Sequence, residues 1–264
     1  MNKASDLSDQ ISGWVKAQSK PVNRPLILML SGAQGIGKST ALNNLSEQDT
    51  SLCVLGLDDF YLSKADRTHL ARTVHPLFET RGPPGTHDLS LLNSTLDRLL
   101  CAWNDEIVPI PVFSKKLDDR LPEHKWRIWK GRPEVIILEG WMVGALPDAN
   151  APFAPPLNEI EACDMGGKWR GYQEAGLSTA YAELWDRADA FCHVHAPSFE
   201  YVLGWRVQQE AGNLGIGLSE LPINRIKWVD RFIQHYERIT RRMLNGLHRP
   251  GLVINVDELR VVRA

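Results

Sequence analysis

Apolar residues fill every position from Leu26 to Leu30, between Pro25 and Ser31. A run without polar alternation predicts a strand buried on both faces. Similar runs predict strands over Ser51–Leu57, Glu134–Leu138, Ala190–His195 and Leu252–Val256. Pro109 and Pro111 interrupt a shorter one over Ile107–Phe113. Between them the spacing becomes helical. Leu7, Ile11, Trp14 and Val15 share a face within residues 5–20, which Lys20-Pro21 and Arg24-Pro25 close off. Residues 38–47 predict a second helix. Leu89, Leu92, Leu96, Leu99, Leu100 and Trp103 form a stripe over Asp88–Trp103, with Asp88 as N-cap. Helical patterning recurs over Trp169–Arg187 and Ser198–Ala211. It recurs again in one long amphipathic stretch, Pro222–Leu247, with its stripe at Ile226, Val229, Ile233, Tyr236 and Met243. Leu70–His87 and Pro147–Pro156 predict loops. Strands alternating with helices imply an α/β fold, a doubly wound, mostly parallel sheet with helices on both faces. Residues 1–24 read as an N-terminal helix and linker, and 25–264 as one domain.

Composition narrows this only slightly. The chain has 264 residues, 43% hydrophobic and 23% charged, with a formal net charge of −2. Nothing global attracts nucleic acid or an anionic membrane. Arg225, Lys227, Arg231, Arg238, Arg241 and Arg242 give the long helix a basic face, which reads as solvated rather than nucleic-acid-binding. No apolar run approaches membrane-spanning length, and Met1–Asp6 does not read as a leader. Cys53, Cys101, Cys163 and Cys192 form no C-x-x-C pair, which suits a reducing, cytoplasmic setting. Nine tryptophans offer core packing or aromatic walls for a ligand. Oligomeric state is not encoded in any of these patterns.

The chemistry begins where the first strand ends. Gly32-Ala33-Gln34-Gly35-Ile36-Gly37-Lys38-Ser39, followed by Thr40, is G-x-x-x-x-G-K-S between a strand and a helix. The glycines let the backbone wrap so that successive N–H groups point at phosphate oxygens. Lys38 reaches the outer phosphates and the Ser39 hydroxyl ligates Mg²⁺. This pattern implies the P-loop NTPase fold and a bound nucleoside triphosphate.

In such sheets ligands lie beyond the carboxyl ends of the strands. Glu139 ends the Val135–Leu138 run and is a second candidate for Mg²⁺, against a solvated loop acid. Asp58 or Asp59 is the candidate base for an acceptor hydroxyl, Asp58 being preferred. Continued strand geometry would leave only one of the two facing the nucleotide. In the 70–87 loop, Arg81 is a candidate clamp for an acceptor carboxylate. His87 and Asp88 are candidate partners for acceptor hydroxyls, against a plain loop with a helix cap. Lys115, Lys116 and Arg120 form a basic cluster, and Arg206 follows the 190–195 strand. Each is a candidate to neutralise a transferring phosphoryl group, or a solvated cation.

The P-loop, Asp58-Asp59-Phe60-Tyr61-Leu62 and Glu139-Gly140-Trp141-Met142 together resemble the phosphoribulokinase, uridine kinase and pantothenate kinase superfamily. Within it the chain is most similar to the plant-type D-glycerate 3-kinases and their fungal and bacterial relatives. Arg81-Gly82-x-x-Gly85-Thr86-His87-Asp88, Tyr201-Val202-x-x-Trp205-Arg206-x-Gln208-x-Glu210 and Val256-Asp257-Glu258-x-Arg260 carry that likeness. It covers about residues 25 to 260.

The resemblance implies Asp58 as catalytic aspartate, Glu139 as strand-end acid, Asp88 as acceptor-binding aspartate and Arg206 as a lid arginine. Lys38, Asp58, Glu139 and Arg206 make the catalytic set, and Asp59, Tyr61, Arg81, His87 and Lys115 join Asp88 around the acceptor. The plant pattern of proline, aromatic, Asp-Lys-Ser is met at Pro111–Lys116 only by the proline and Lys115. The implied cofactors are ATP and Mg²⁺. The implied partner is a small hydroxylated molecule, with D-glycerate as first choice. A nucleoside-like or pantothenate-like acceptor, or a nucleotide-dependent switch, remain alternatives.

Overall fold

The computed structural model describes residues 6–19 and 23–263. The Met1–Ser5 part of the leader expectation and the Lys20-Pro21 break lie outside the described residues. Strand β1 (Leu26–Gly32) is buried at every position. The reason is its place in the sheet. After it come β2 (Leu52–Gly56), β3 (Ile107–Ile110), β4 (Phe113–Ser114), β5 (Asp119–Arg120), β6 (Arg127–Lys130), β7 (Val135–Gly140), β8 (Ala190–His195) and β9 (Leu252–Asn255). The central sheet has the order β2-β7-β1-β8-β9 with every pair parallel. From β1 the chain runs outward to β2, leaving a slot that β7 later fills. It then crosses to β8 on the other side. The order therefore reverses at β1, whose carboxyl end is the P-loop.

The helices are α1 (Leu7–Ala17), α2 (Lys38–Gln48), α3 (Lys64–Thr73), α4 (Leu89–Cys101) and α5 (Glu159–Ala162). They continue as α6 (Lys168–Ser178), α7 (Ala180–Trp185), α8 (Phe199–Leu214), α9 (Ile223–Ile233) and α10 (Glu237–Leu244). Leu7, Ile11 and Trp14 of α1 are buried in the same apolar cluster as the sheet, as their spacing predicts. Asp88 caps α4 by accepting from Leu91 N–H at 3.0 Å. Among the described residues no helix is long and apolar enough to cross a membrane.

Three expectations change. The 70–87 loop begins inside α3, whose only buried residue is Arg67, so it has no apolar stripe to read. Its signal is the cap: Ser63 Oγ accepts from Asp66 N–H at 3.1 Å. The long helix is broken by a 3₁₀ turn at Gln234–Tyr236, although no Gly or Pro lies in residues 223–244. The 169–187 stretch is two helices, parted at Thr179.

Pro109 is accommodated because β3 pairs only with β6, in an antiparallel two-stranded ribbon. β4 and β5 form a second small ribbon. The basic face of the long helix is largely spoken for. Arg225, Arg231, Arg238, Arg241 and Arg242 pair with Glu210, Glu159, Glu161, Glu200 and Glu174 respectively. Cations already held by carboxylates offer little to a nucleic-acid backbone.

Candidate active site

The loop after β1 wraps because its glycines allow it. Gly35 has φ +76° and Gly37 φ +108°. A Cβ on Gly35 would fall 2.8 Å from Cβ of Trp205 on α8, so the loop and α8 touch backbone to side chain. Ala33 and Ile36 are buried and anchor the loop to the core. Gln34, Gly35, Gly37, Lys38, Ser39 and Thr40 line a cavity of about 540 Å³. The Lys38 ammonium donates to Gly32 O at 2.7 Å and Ala33 O at 3.3 Å, and lies 4.0 Å from Glu139. Burial lowers its pKa, with Glu139 and Asp58 opposing. Ser39 Oγ donates to Glu139 Oε1 at 2.7 Å, so the two candidate metal ligands meet at the mouth of the loop. Among the described residues no group of three His, Cys, Asp or Glu forms a metal cage. One carboxylate and one hydroxyl nonetheless fit Mg²⁺, which takes few protein ligands and fills its shell with phosphate and water.

At the end of β2 the chain leaves strand geometry. Leu57–Phe60 is a 3₁₀ turn, so Asp58 and Asp59 both line the cavity rather than one of them. Their surroundings differ. Asp58 accepts the Tyr61 hydroxyl at 2.6 Å and lies 3.3 Å from Lys115 Nζ. Burial pushes its carboxyl up, but Lys115 and the Tyr61 hydroxyl outweigh that and hold it below its ordinary value. Asp59 is pushed up to about 6 by burial, aided by the Asp58 charge and opposed by the N–H of Phe113, which it accepts at 3.1 Å. Asp58 is thus the more readily ionised of the two.

Arg81, Phe113, Trp141, Arg206, Phe232 and Tyr236 close the far side of the cavity. The Arg81 guanidinium bonds Asp118 and lies 5.7 Å from the Phe113 ring and 5.5 Å from that of Phe232. The Tyr236 hydroxyl donates to Arg81 O at 2.8 Å. Gly82 makes room for that contact: its φ is +114°, and a Cβ there would fall 2.0 Å from the Tyr236 oxygen.

His87 and Asp88 do not line the cavity. His87 is buried, its Nδ1 2.7 Å from the Tyr181 hydroxyl, and burial pushes it down to about 4. Asp88, besides capping α4, accepts from Arg120 at 3.0 Å. Arg120 also donates to Tyr61 O at 3.1 Å, and His87 bridges to Tyr61 in an antiparallel pair. Together they brace Tyr61 from behind. Lys115 reaches the cavity, whereas Arg120 does not.

Residue-by-residue reading missed Phe232, Arg127, Gln209 and Asn43, all of which line the cavity. It placed Gln208 and Arg260 only within the family likeness. Arg260 donates to Gly35 O at 2.9 Å and also bonds Gln208, so the last turn of the chain touches the P-loop. No spacing rule links residues 35 and 260. The backbone φ of +66° that aims Arg260 leaves no mark in the sequence.

A phosphate loop, a strand-end acid and a facing aspartate in one parallel sheet describe a nucleotide enzyme. The sequence comparison narrows it further. The chain is 30% identical over 266 residues to the uncharacterized kinase mug58 of Schizosaccharomyces pombe, covering 94% of this chain and 93% of that one. The chain belongs to the P-loop kinases. No protein-family model matches this kinase. It is 29% identical over 262 residues to the chloroplastic D-glycerate 3-kinase of Arabidopsis thaliana, covering 89% of this chain and 53% of that protein. Its structure matches that of the D-glycerate 3-kinase from Cryptococcus neoformans with a TM-score of 0.78 and 25% identity, over 98% of each chain. It is an ATP-dependent kinase.

Proposed function

We propose that this kinase transfers the γ-phosphoryl group of MgATP to D-glycerate, giving 3-phosphoglycerate. The observation that carries the reading is the charge of the cavity. Lys38, Arg81, Lys115, Arg127, Arg206 and Arg260 line it against Asp58, Asp59 and Glu139. That excess of cations suits an anionic acceptor beside the nucleotide. The likeness to two D-glycerate 3-kinases supports the same acceptor class.

In this reading Asp58 orients the acceptor hydroxyl and takes its proton as the bond to phosphorus forms. A carboxylate held below its ordinary range acts late, which suits a loose phosphoryl transition state. Arg81 holds the acceptor carboxylate with the guanidinium edge that Asp118 does not use. Lys38 and Arg206 bind the phosphates, with Lys115 beside Asp58. Ser39 and Glu139 are the residues that would hold Mg²⁺, which when bound neutralises phosphate charge. His87 and Asp88 brace Tyr61 from behind, and Tyr61, which lines the cavity, positions Asp58 beside the acceptor. A cytoplasmic setting goes with free, buried Cys53 and Cys192.

One observation favours a larger acceptor. Phe113, Trp141, Phe232 and Tyr236 form an aromatic wall that a ring-bearing molecule would also fill. ADP release measured with D-glycerate, L-glycerate, uridine and pantothenate separates the two. Turnover with D-glycerate and a phosphate on its 3-hydroxyl supports the first reading; turnover with uridine or pantothenate alone overturns it.

A further inference from the structure

Between α8 and α9, one buried carboxylate holds two arginines of different exposure. Glu210 is 4% exposed. Its Oε2 accepts from Arg206 Nη1 at 3.0 Å, one helical turn earlier on α8. Its Oε1 accepts from Arg225 Nε at 2.7 Å and also bonds Arg225 Nη2, from the first turn of α9. Arg206 lines the cavity, while the Arg225 side chain is 41% exposed and stacks 4.1 Å from the Trp228 ring centroid. Burial pushes the Glu210 carboxyl up, but Arg225 and Arg206 together hold it below its ordinary value. The two guanidinium groups thus favour its ionised form.

The division of that charge matters. A carboxylate paired with Arg206 alone would cancel most of what Arg206 offers a phosphate. With Arg225 drawing on the same carboxylate, the three groups keep a net positive charge, and the cavity-facing guanidinium retains its pull. Phe232 adds a second restraint, its ring 5.7 Å from the Arg206 guanidinium. A cation fixed in direction before the substrate arrives needs no reorganisation during the reaction.

We propose that Glu210, clamped from outside by Arg225, is the positioning residue that keeps Arg206 aimed at the transferring phosphoryl group. This rests on the phosphate-binding role proposed for Arg206. The new element is the outer pair, Glu210 and Arg225, neither of which lines the cavity.

The test is a double-mutant cycle on the full chain, with Glu210→Gln, Arg206→Met and the pair. Steady-state ADP release is followed with D-glycerate, and without acceptor where glycerate gives no turnover. Glu210→Gln is expected to lower kcat about 10- to 30-fold with the KM for ATP changed less than about 3-fold. In the Arg206→Met background it should change kcat by less than about 2-fold. Arg225→Met, at a partly exposed site, should repeat the pattern with a smaller loss and serves if Glu210→Gln does not fold. Equal losses in both backgrounds would mean that Glu210 acts through something other than Arg206, and would overturn the proposal. So would an unchanged kcat in Glu210→Gln. If Arg206→Met itself keeps full kcat, the role of Arg206 falls first, and that outcome is distinct from the other two.

Discussion

Replacing Asp58 with Asn keeps the shape of the side chain and removes the charge and the proton acceptor. The Tyr61 hydroxyl, now 2.6 Å from Oδ1, finds an amide oxygen in the same place. The loss to Lys115 is small for stability: the two side chains are 40% and 51% exposed, and an ion pair that open to water is worth less than about 1 kcal/mol. The chemical loss is larger. A positioned general base contributes about 10²- to 10⁴-fold, or roughly 3–5 kcal/mol of barrier. Asp58→Asn should therefore lower kcat at least about 100-fold. Its midpoint in urea should move by no more than the surface pair is worth. Binding of ATP, followed by calorimetry without acceptor, should stay within about 3-fold, because Lys38 and the loop are untouched. A kcat within a factor of about ten of the parent would refute the base assignment. If the protein unfolds instead, the ion pair has been undervalued, and Asp58→Glu then tests the base by its partial recovery of kcat.

Other consequences can be checked separately. Gly35→Ala puts a Cβ at a positive φ and against Trp205, so ATP affinity should fall more than about 10-fold, read by calorimetry. Tyr236→Phe leaves Arg81 O without its donor, which should cost about 1–2 kcal/mol in urea unfolding. His87, His193, His195 and His235 are each pushed down to about 4, mainly by burial. Their unfolded forms bind protons first as pH falls, so stability should drop from about pH 6.5 towards 4. Asp59 runs the other way, since its raised pKa of about 6 makes the folded state the better proton binder between about 4 and 6. Asp59→Asn should therefore gain stability relative to the parent as pH rises through that window, measured by urea midpoints at each pH.

The features legible in advance were local. The run at Leu26–Leu30 announced a strand buried on both faces, and G-x-x-x-x-G-K-S announced the phosphate loop at its end. The apolar run before Glu139 placed that acid at a strand end, and its bond to Ser39 comes from both strands lying side by side. Asp88 was legible as a cap. Its likeness to an acceptor-binding aspartate is harder to reconcile with a carboxylate occupied by Leu91 N–H and Arg120. The pieces that escaped depend on distant partners. α3 hides because its buried side chain is an arginine, held by Asp118 and Glu79 O. The turn that brings Asp58 and Asp59 round together starts directly after Gly56, a lone glycine inside an apolar run that reads as strand through Leu57. Arg260 finds Gly35 only through the whole sheet.

The central position of β1 also sets a timetable for biosynthesis. Its neighbours are β7, beginning at Val135, and β8, ending at His195. A ribosome adding roughly 5–20 residues per second needs on the order of 10–30 s after the P-loop emerges before both flanks exist. Until β7 is made the strand, apolar from Leu26 to Leu30, has two open edges, and until β8 follows it has one, each a template for pairing with another nascent chain. The strand that makes the enzyme is thus also its main exposure to aggregation. Expression yield should respond to slower synthesis or to chaperone supply more than the stability of the finished protein does.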